Sequence, residues 1–219
     1  MSELHTRDSY VEGIEVRQGD GERASIGGYA AVFGQETIVT EGPSQWRERI
    51  ARGAFDQAIG RDDVIAAVNH DHKQVLGRTR NKTLALSADA HGLRYQVQLP
   101  NTSLAHDTVE LVRNGTLTGS SFKFAVASDG IRIVERATAA GDLPLIEITN
   151  VKRLVDVGPV TFPAYEGTSV GIRMADVLKG LLAESERNAA SEREAALART
   201  RALRAQINAA KEAAKAWAT

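Results

Sequence analysis

From Tyr10 to Phe162 the chain is a succession of short runs of β-branched and aromatic residues broken by glycines. A β-rich fold buries such a pattern and a helical bundle does not. Alternation and turn signals predict strands at Tyr10–Val16, Ser25–Phe33, Val64–Asn69, Thr83–Ser87, Leu93–Leu99, Ser120–Ala127, Ile131–Val134, Leu145–Asn150 and Arg153–Phe162. Two short helices fit between them. One follows Gly53, over Ala54–Ile59, and stops at Gly60. The other opens at Thr102 or Ser103, either of which suits an N-cap, and runs to the Asn114-Gly115 stop with Leu104, Val109, Leu111 and Val112 as its buried stripe.

The pattern ends near residue 173. Beyond it the chain has no glycine after Gly180 and no proline, and alanine dominates between Glu, Arg, Lys and Leu, which is a helix composition. Its large apolar residues, such as Leu178, Leu197 and Leu203, are too sparse for a strong coiled-coil seam. The expected organisation is a mostly β (α+β) domain over residues 1–173 and a helical C-terminal tail over 174–219. The tail is either a solvated helix or a segment that targets an assembly and is later cut off.

A length of 219 residues allows one sizeable core with an appendage. With 27 basic against 28 acidic side chains the net charge is -1, so nothing global draws the chain to nucleic acid or an anionic membrane. The absence of cysteine excludes disulfides, thiolate metal sites and a cysteine nucleophile. No apolar run reaches the roughly 18 residues of a membrane span. The first residues, Met-Ser-Glu-Leu-His-Thr-Arg-Asp, hold no apolar stretch of a secretory signal, and a cytoplasmic protein is expected.

Three segments set polar residues against apolar strands. In Val64–His72 a buried-looking strand runs into Asn69-His70-Asp71-His72. A strand end is a rigid platform for an imidazole, and histidine titrates in the range that general base work requires. His70 and His72 could also share a metal with Asp71, or be surface residues; His91 and His106 add no ligand spacing. In Thr116–Phe124, alternation puts Ser121 and Lys123 on one face and Ser120, Phe122 and Phe124 on the other. With the phenylalanines in the core, Ser121 faces the opposite surface, where a base could activate it. The segment is not a Gly-x-Ser-x-Gly elbow, since no glycine follows Ser121. In Lys152–Tyr165, Asp156 lies among Val155, Val157 and Val160, and a buried carboxylate there needs a partner. An imidazole would be oriented by it for catalysis; an arginine or a position at the rim would also satisfy it.

The segments Gly28–Phe33, Arg52–Phe55, Asn69-His70-Asp71, Leu76–Thr79, Gly92-Leu93, Leu99–Thr102, Gly119–Phe122 and Val160–Tyr165 occur in the order and spacing of one family. Over about Gly28 to Val170 the chain resembles the prohead (capsid maturation) serine proteases of tailed phages, which are similar in fold to the herpesvirus assemblin proteases. The resemblance implies a closed or nearly closed antiparallel β-barrel with helices around it. It implies Ser121 as nucleophile, His70 rather than His72 as base, and an acidic third member. Asp156 stands at that third place, where the family more often has glutamate, and Gly158 where a small hydroxyl residue is common. The oxyanion donors are expected near Ser121, with Pro163-Ala164-Tyr165 as the candidate loop. No cofactor or metal is implied. The implied substrates are scaffold or delta segments of the major capsid protein and the protease itself, inside the procapsid in the host cytoplasm, and assemblin-like behaviour suggests a homodimer. The competing readings are a catalytically inactive capsid scaffold of the same fold and a metal-dependent hydrolase using His70, Asp71 and His72.

Overall fold

In a computed structural model of the chain, which describes residues 5–9, 14–17, 24–41, 44–127, 129–137, 142–161 and 172–217, the glycine-punctuated runs are strands. In chain order the elements are β1 (His5–Ser9), β2 (Glu15–Arg17), β3 (Ser25–Val32), β4 (Thr37–Glu41), β5 (Ser44–Ile50), β6 (Ile65–Ala67), β7 (Val75–Arg78), β8 (Leu84–Ala88), β9 (Gly92–Gln98), α1 (Ser103–Arg113), β10 (Gly119–Val126), β11 (Ile131–Glu135), β12 (Leu145–Ile148), β13 (Val151–Val160) and α2 (Ile172–Trp217). A 3-10 turn over Val68–His70 follows β6. The chain divides into two units, Met1–Arg173 and Met174–Thr219.

The strands of the first unit form three sheets, in the orders β1-β10-β13-β6-β7, β11-β12-β5-β4 and β2-β3-β9-β8. The expected closed antiparallel barrel is therefore corrected for the described residues. Closure requires every strand to be bonded on both sides, whereas each sheet here ends in two edge strands. Two pairings are parallel, β6 with β13 and β5 with β12. Strand β6 is only three residues long, and the chain turns left-handed at Asn69 and His70 (φ 50° and 56°) just beyond it; it is paired on both sides, and the open edges of its sheet are β1 and β7.

The core lies where β3 packs on β10 and β9 on β7. Phe122 and Phe124 of β10 are buried there, stacked with ring centroids 5.0 Å apart, and Phe55 meets Phe122 edge-on at 5.5 Å. Each buried phenylalanine is worth about 1.5–3 kcal/mol of transfer free energy, which fixes the register of β10 and hence the direction of its serines. Phe55 comes from a run of turns rather than the helix expected over Ala54–Ile59; between Gly53 and Gly60 there is too little chain to repay helix nucleation. Helix α1 is capped by Thr102, whose side chain accepts from the Ala105 N–H at 3.3 Å. It buries Ala105, Thr108 and Val109, and Leu111, expected in the buried stripe, is exposed.

Strands β1, β4, β5 and β7 are absent from the alternation reading, and residues 10–13 of the strand expected over Tyr10–Val16 lie outside the described residues. In β5, Ser-Gln-Trp-Arg-Glu-Arg-Ile, the inward residues are Trp46, Glu48 and Ile50. An inward glutamate hides the period, and the indole N–H of Trp46 donates to it at 3.2 Å. In the second unit, the described side chains of α2 are mostly exposed, Leu197 and Leu203 among them. Among the described residues no helix is long and apolar enough to cross a membrane.

Candidate active site

Strand β10 is paired on both sides, with Asp8 of β1 and Gly158 of β13 opposite Ser121. Directly opposed residues share a face, so Ser121, Lys123, Asp156 and Gly158 lie on one side of the sheet. Ser120 points the other way, with the phenylalanines, and its hydroxyl lies 3.0 Å from the Tyr95 hydroxyl of β9. Burial pushes the Tyr95 phenol up to about 12, so it stays protonated and able to bond that serine.

His70 reaches the same face from a strained turn. After β6 the backbone takes two successive left-handed residues, Asn69 and His70, each costing about 1–3 kcal/mol. The Asn69 side chain offsets this cost by clamping the end of β13. Its Oδ1 accepts from the Thr161 N–H at 2.8 Å, and its Nδ2 donates to the Thr161 hydroxyl at 3.1 Å. Asp71 braces the other side, accepting from the Lys73 N–H at 2.9 Å and the Gln74 amide at 3.1 Å; the Lys73 N–H in particular holds its carboxyl below the usual range. Gly158 lets the turn approach β13. Its backbone sits so close to Ala67 that a Cβ would lie 2.1 Å from the Ala67 carbonyl oxygen.

Three expected residues meet as a result. The Ser121 hydroxyl donates to His70 Nε2 at 2.5 Å, and His70 Nδ1–H donates to Asp156 Oδ1 at 2.5 Å. Ser121 and Asp156 are fully buried, and the imidazole is largely so. A carboxylate on one imidazole nitrogen fixes the tautomer that leaves the other nitrogen free to take a hydroxyl proton. The arrangement can therefore make Ser121 a nucleophile and stabilise the imidazolium that results.

Asp156 has a second imidazole on its other oxygen. His72 Nε2–H donates to Asp156 Oδ2 at 2.8 Å. The His70/Asp71/His72 metal reading finds a different arrangement: both imidazoles turn to Asp156 while Asp71 faces its own turn. Among the described residues no group of three or more His, Asp or Glu is placed to hold a metal ion. His91 lies elsewhere, edge-on to the Tyr29 ring, and His106 is on α1. The Pro163-Ala164-Tyr165 loop, expected to supply oxyanion donors, lies outside the described residues. Sequence reasoning missed Asn69, His72 as a partner of Asp156, and the close approach at Gly158. The Asn-His-Asp-His run was a signal for the first two, but only the register of β13 shows what they face.

The sequence pattern of the caudovirus prohead serine protease family matches residues 12–180 of the chain. A prohead protease of Enterobacteria phage HK97 is 29% identical over 153 residues, covering 69% of this chain and 61% of that protein. The chain thus spans about three-fifths of the length of the curated relative it matches. No solved structure matches it significantly.

Proposed function

Because the chain belongs to the caudovirus prohead serine protease family, we propose that it is a serine endopeptidase with Ser121 as nucleophile, His70 as general base and acid, and Asp156 as the carboxylate that orients His70. The observation that carries this reading is the continuous line of hydrogen bonds from Asp156 through His70 to Ser121, its two links joining residues 86 and 51 apart in sequence. The Ser121 hydroxyl attacks a peptide carbonyl as His70 Nε2 takes its proton; the same nitrogen then returns the proton to the leaving amine, and water repeats the cycle on the acyl-enzyme.

The proposed substrates are scaffold or delta segments of the major capsid protein and the protease itself, cut inside the procapsid. This fits the family and the HK97 relative's name. The exposed, alanine-rich α2 fits a segment that rides with a helical scaffold and is later removed. Deleting residues 175–219 is then expected to lower the amount of protein found in procapsids while leaving cleavage of added substrate intact. A homodimer, as in the assemblins, belongs to the same proposal and is read by sedimentation of the purified protein.

Co-expression with its own major capsid protein tests the assignment. Mass spectrometry should find capsid fragments with the native sequence and none with Ser121→Ala. Equal fragments from both would end the reading.

A further inference from the structure

Asp156 is completely buried, and both of its carboxylate oxygens are held by imidazoles from one turn. His70 takes Oδ1, while His72, about half exposed, reaches in to Oδ2. We propose that His72 is a positioning residue for the hydrolysis: its Nε2–H fixes the Asp156 carboxylate so that Oδ1 stays on His70 Nδ1. The inference rests on the protease reading above.

The terminal torsion of an aspartate is soft, and one donor on one oxygen leaves the group free to rotate. A second donor from the opposite side defines its plane, and with it the direction of the His70 ring. Oδ2 also needs a donor because no solvent reaches it, and a carboxylate oxygen left unbonded in the interior is costly. Lys123 stands directly across from Asp156 on the same face, yet no ion pair joins them among the described residues. The choice of donor has a chemical consequence. An ammonium against Asp156 would cancel much of the negative charge that stabilises the His70 imidazolium. An imidazole N–H instead holds Oδ2 through one directed bond in the plane of its ring. The turn makes His72 separable from the fold, since Asn69 and Asp71 hold the turn through bonds of their own.

The test compares His72→Phe, which keeps the ring's bulk without a donor, with His72→Gln, whose amide can donate to Oδ2. Both are made in the full chain, with Ser121→Ala alongside. Two readouts are taken: the rate of covalent labelling by diisopropyl fluorophosphate, and the nitrogen-15 imidazole spectrum, which reports the His70 tautomer and requires no turnover. The expectation is a labelling rate roughly 10- to 100-fold lower for His72→Phe, the loss of one charge-assisted hydrogen bond, with a mixed His70 tautomer. His72→Gln should recover most of the rate and the Nδ1–H tautomer. Should His72→Phe fail to melt cooperatively, His72→Ala takes its place. Wild-type labelling and an undisturbed Nδ1–H tautomer in the donor-free variant would overturn the proposal. If the native chain is not labelled at all, or Ser121→Ala is labelled equally, it is the protease reading that falls; the tautomer comparison then still decides the role of His72.

Discussion

Replacing Gly158 by alanine would put a methyl carbon 2.1 Å from the Ala67 carbonyl oxygen and 3.0 Å and 3.1 Å from the Ala67 carbonyl carbon and amide nitrogen. All three are backbone atoms, so no side chain can swing aside. The strands must part by about 1 Å to restore ordinary contact, and the φ of 157° adds strain for any residue with a Cβ. Overpacking of this kind costs about 1–3 kcal/mol, and a strained backbone about 1–3 kcal/mol more. A loss of about 2–6 kcal/mol on urea unfolding is expected. The shift falls where β13 meets the turn that carries His70. Both 2.5 Å bonds of His70 would stretch, and a 1 Å misplacement is worth about 100-fold in rate. The control is Gly115→Ala, where a Cβ meets nothing within 4 Å at a φ of 76°. It should cost only the backbone strain and leave the fluorophosphate labelling rate unchanged. If Gly158→Ala unfolds at the native urea midpoint and labels at the native rate, then the contact with Ala67 is not what sets the His70 turn.

Asn69→Ala removes the Thr161 clamp and strains a left-handed residue; unfolding should show a loss of about 1–3 kcal/mol with slower labelling, and Asn69→Gly should recover the strain but not the clamp. Ser120→Ala removes one buried hydroxyl bond to Tyr95, so stability should fall by about 1 kcal/mol while labelling persists; a loss of labelling equal to that of Ser121→Ala would contradict the division of the two faces. Burial pushes the Glu147 carboxyl up, but Arg132 and Arg49 outweigh it and hold the group below its ordinary value. A carboxyl lowered on folding adds stability above its unfolded value and loses it as the pH falls through the folded one. Glu147→Gln should therefore be less stable than the native protein at neutral pH, and acid titration of the melting temperature should show the gap closing as the pH falls through the carboxylate range.

What the sequence makes legible follows from short-range rules. Alternation in Gly-Ser-Ser-Phe-Lys-Phe separates the two serines, and their hydroxyls do point apart, to Tyr95 and to His70. The cap of α1 is equally local. Strand β5 is hidden because it turns Glu48 inward beside Trp46, which breaks the apolar period. Barrel closure is a property of strand ends that no single segment encodes. The roles of Asn69, His72 and Gly158 depend on a parallel pairing of β6 with β13 across some 90 residues of chain, visible only when the two are side by side. Asp156 illustrates the limit well: its valine neighbours predict that it needs a partner, but not that two imidazoles share it.

Ser121 as the nucleophile and His70 as its base are the core of the proposed mechanism. The most direct measurement is the location of a diisopropyl fluorophosphate adduct. Trypsin releases both serines in one peptide, Asn114–Lys123, and tandem fragmentation between them assigns the modified residue. An adduct on Ser121 alone is expected, and it should be lost in His70→Ala. An adduct on Ser120, or one on Ser121 that forms as fast without His70, would contradict that mechanism.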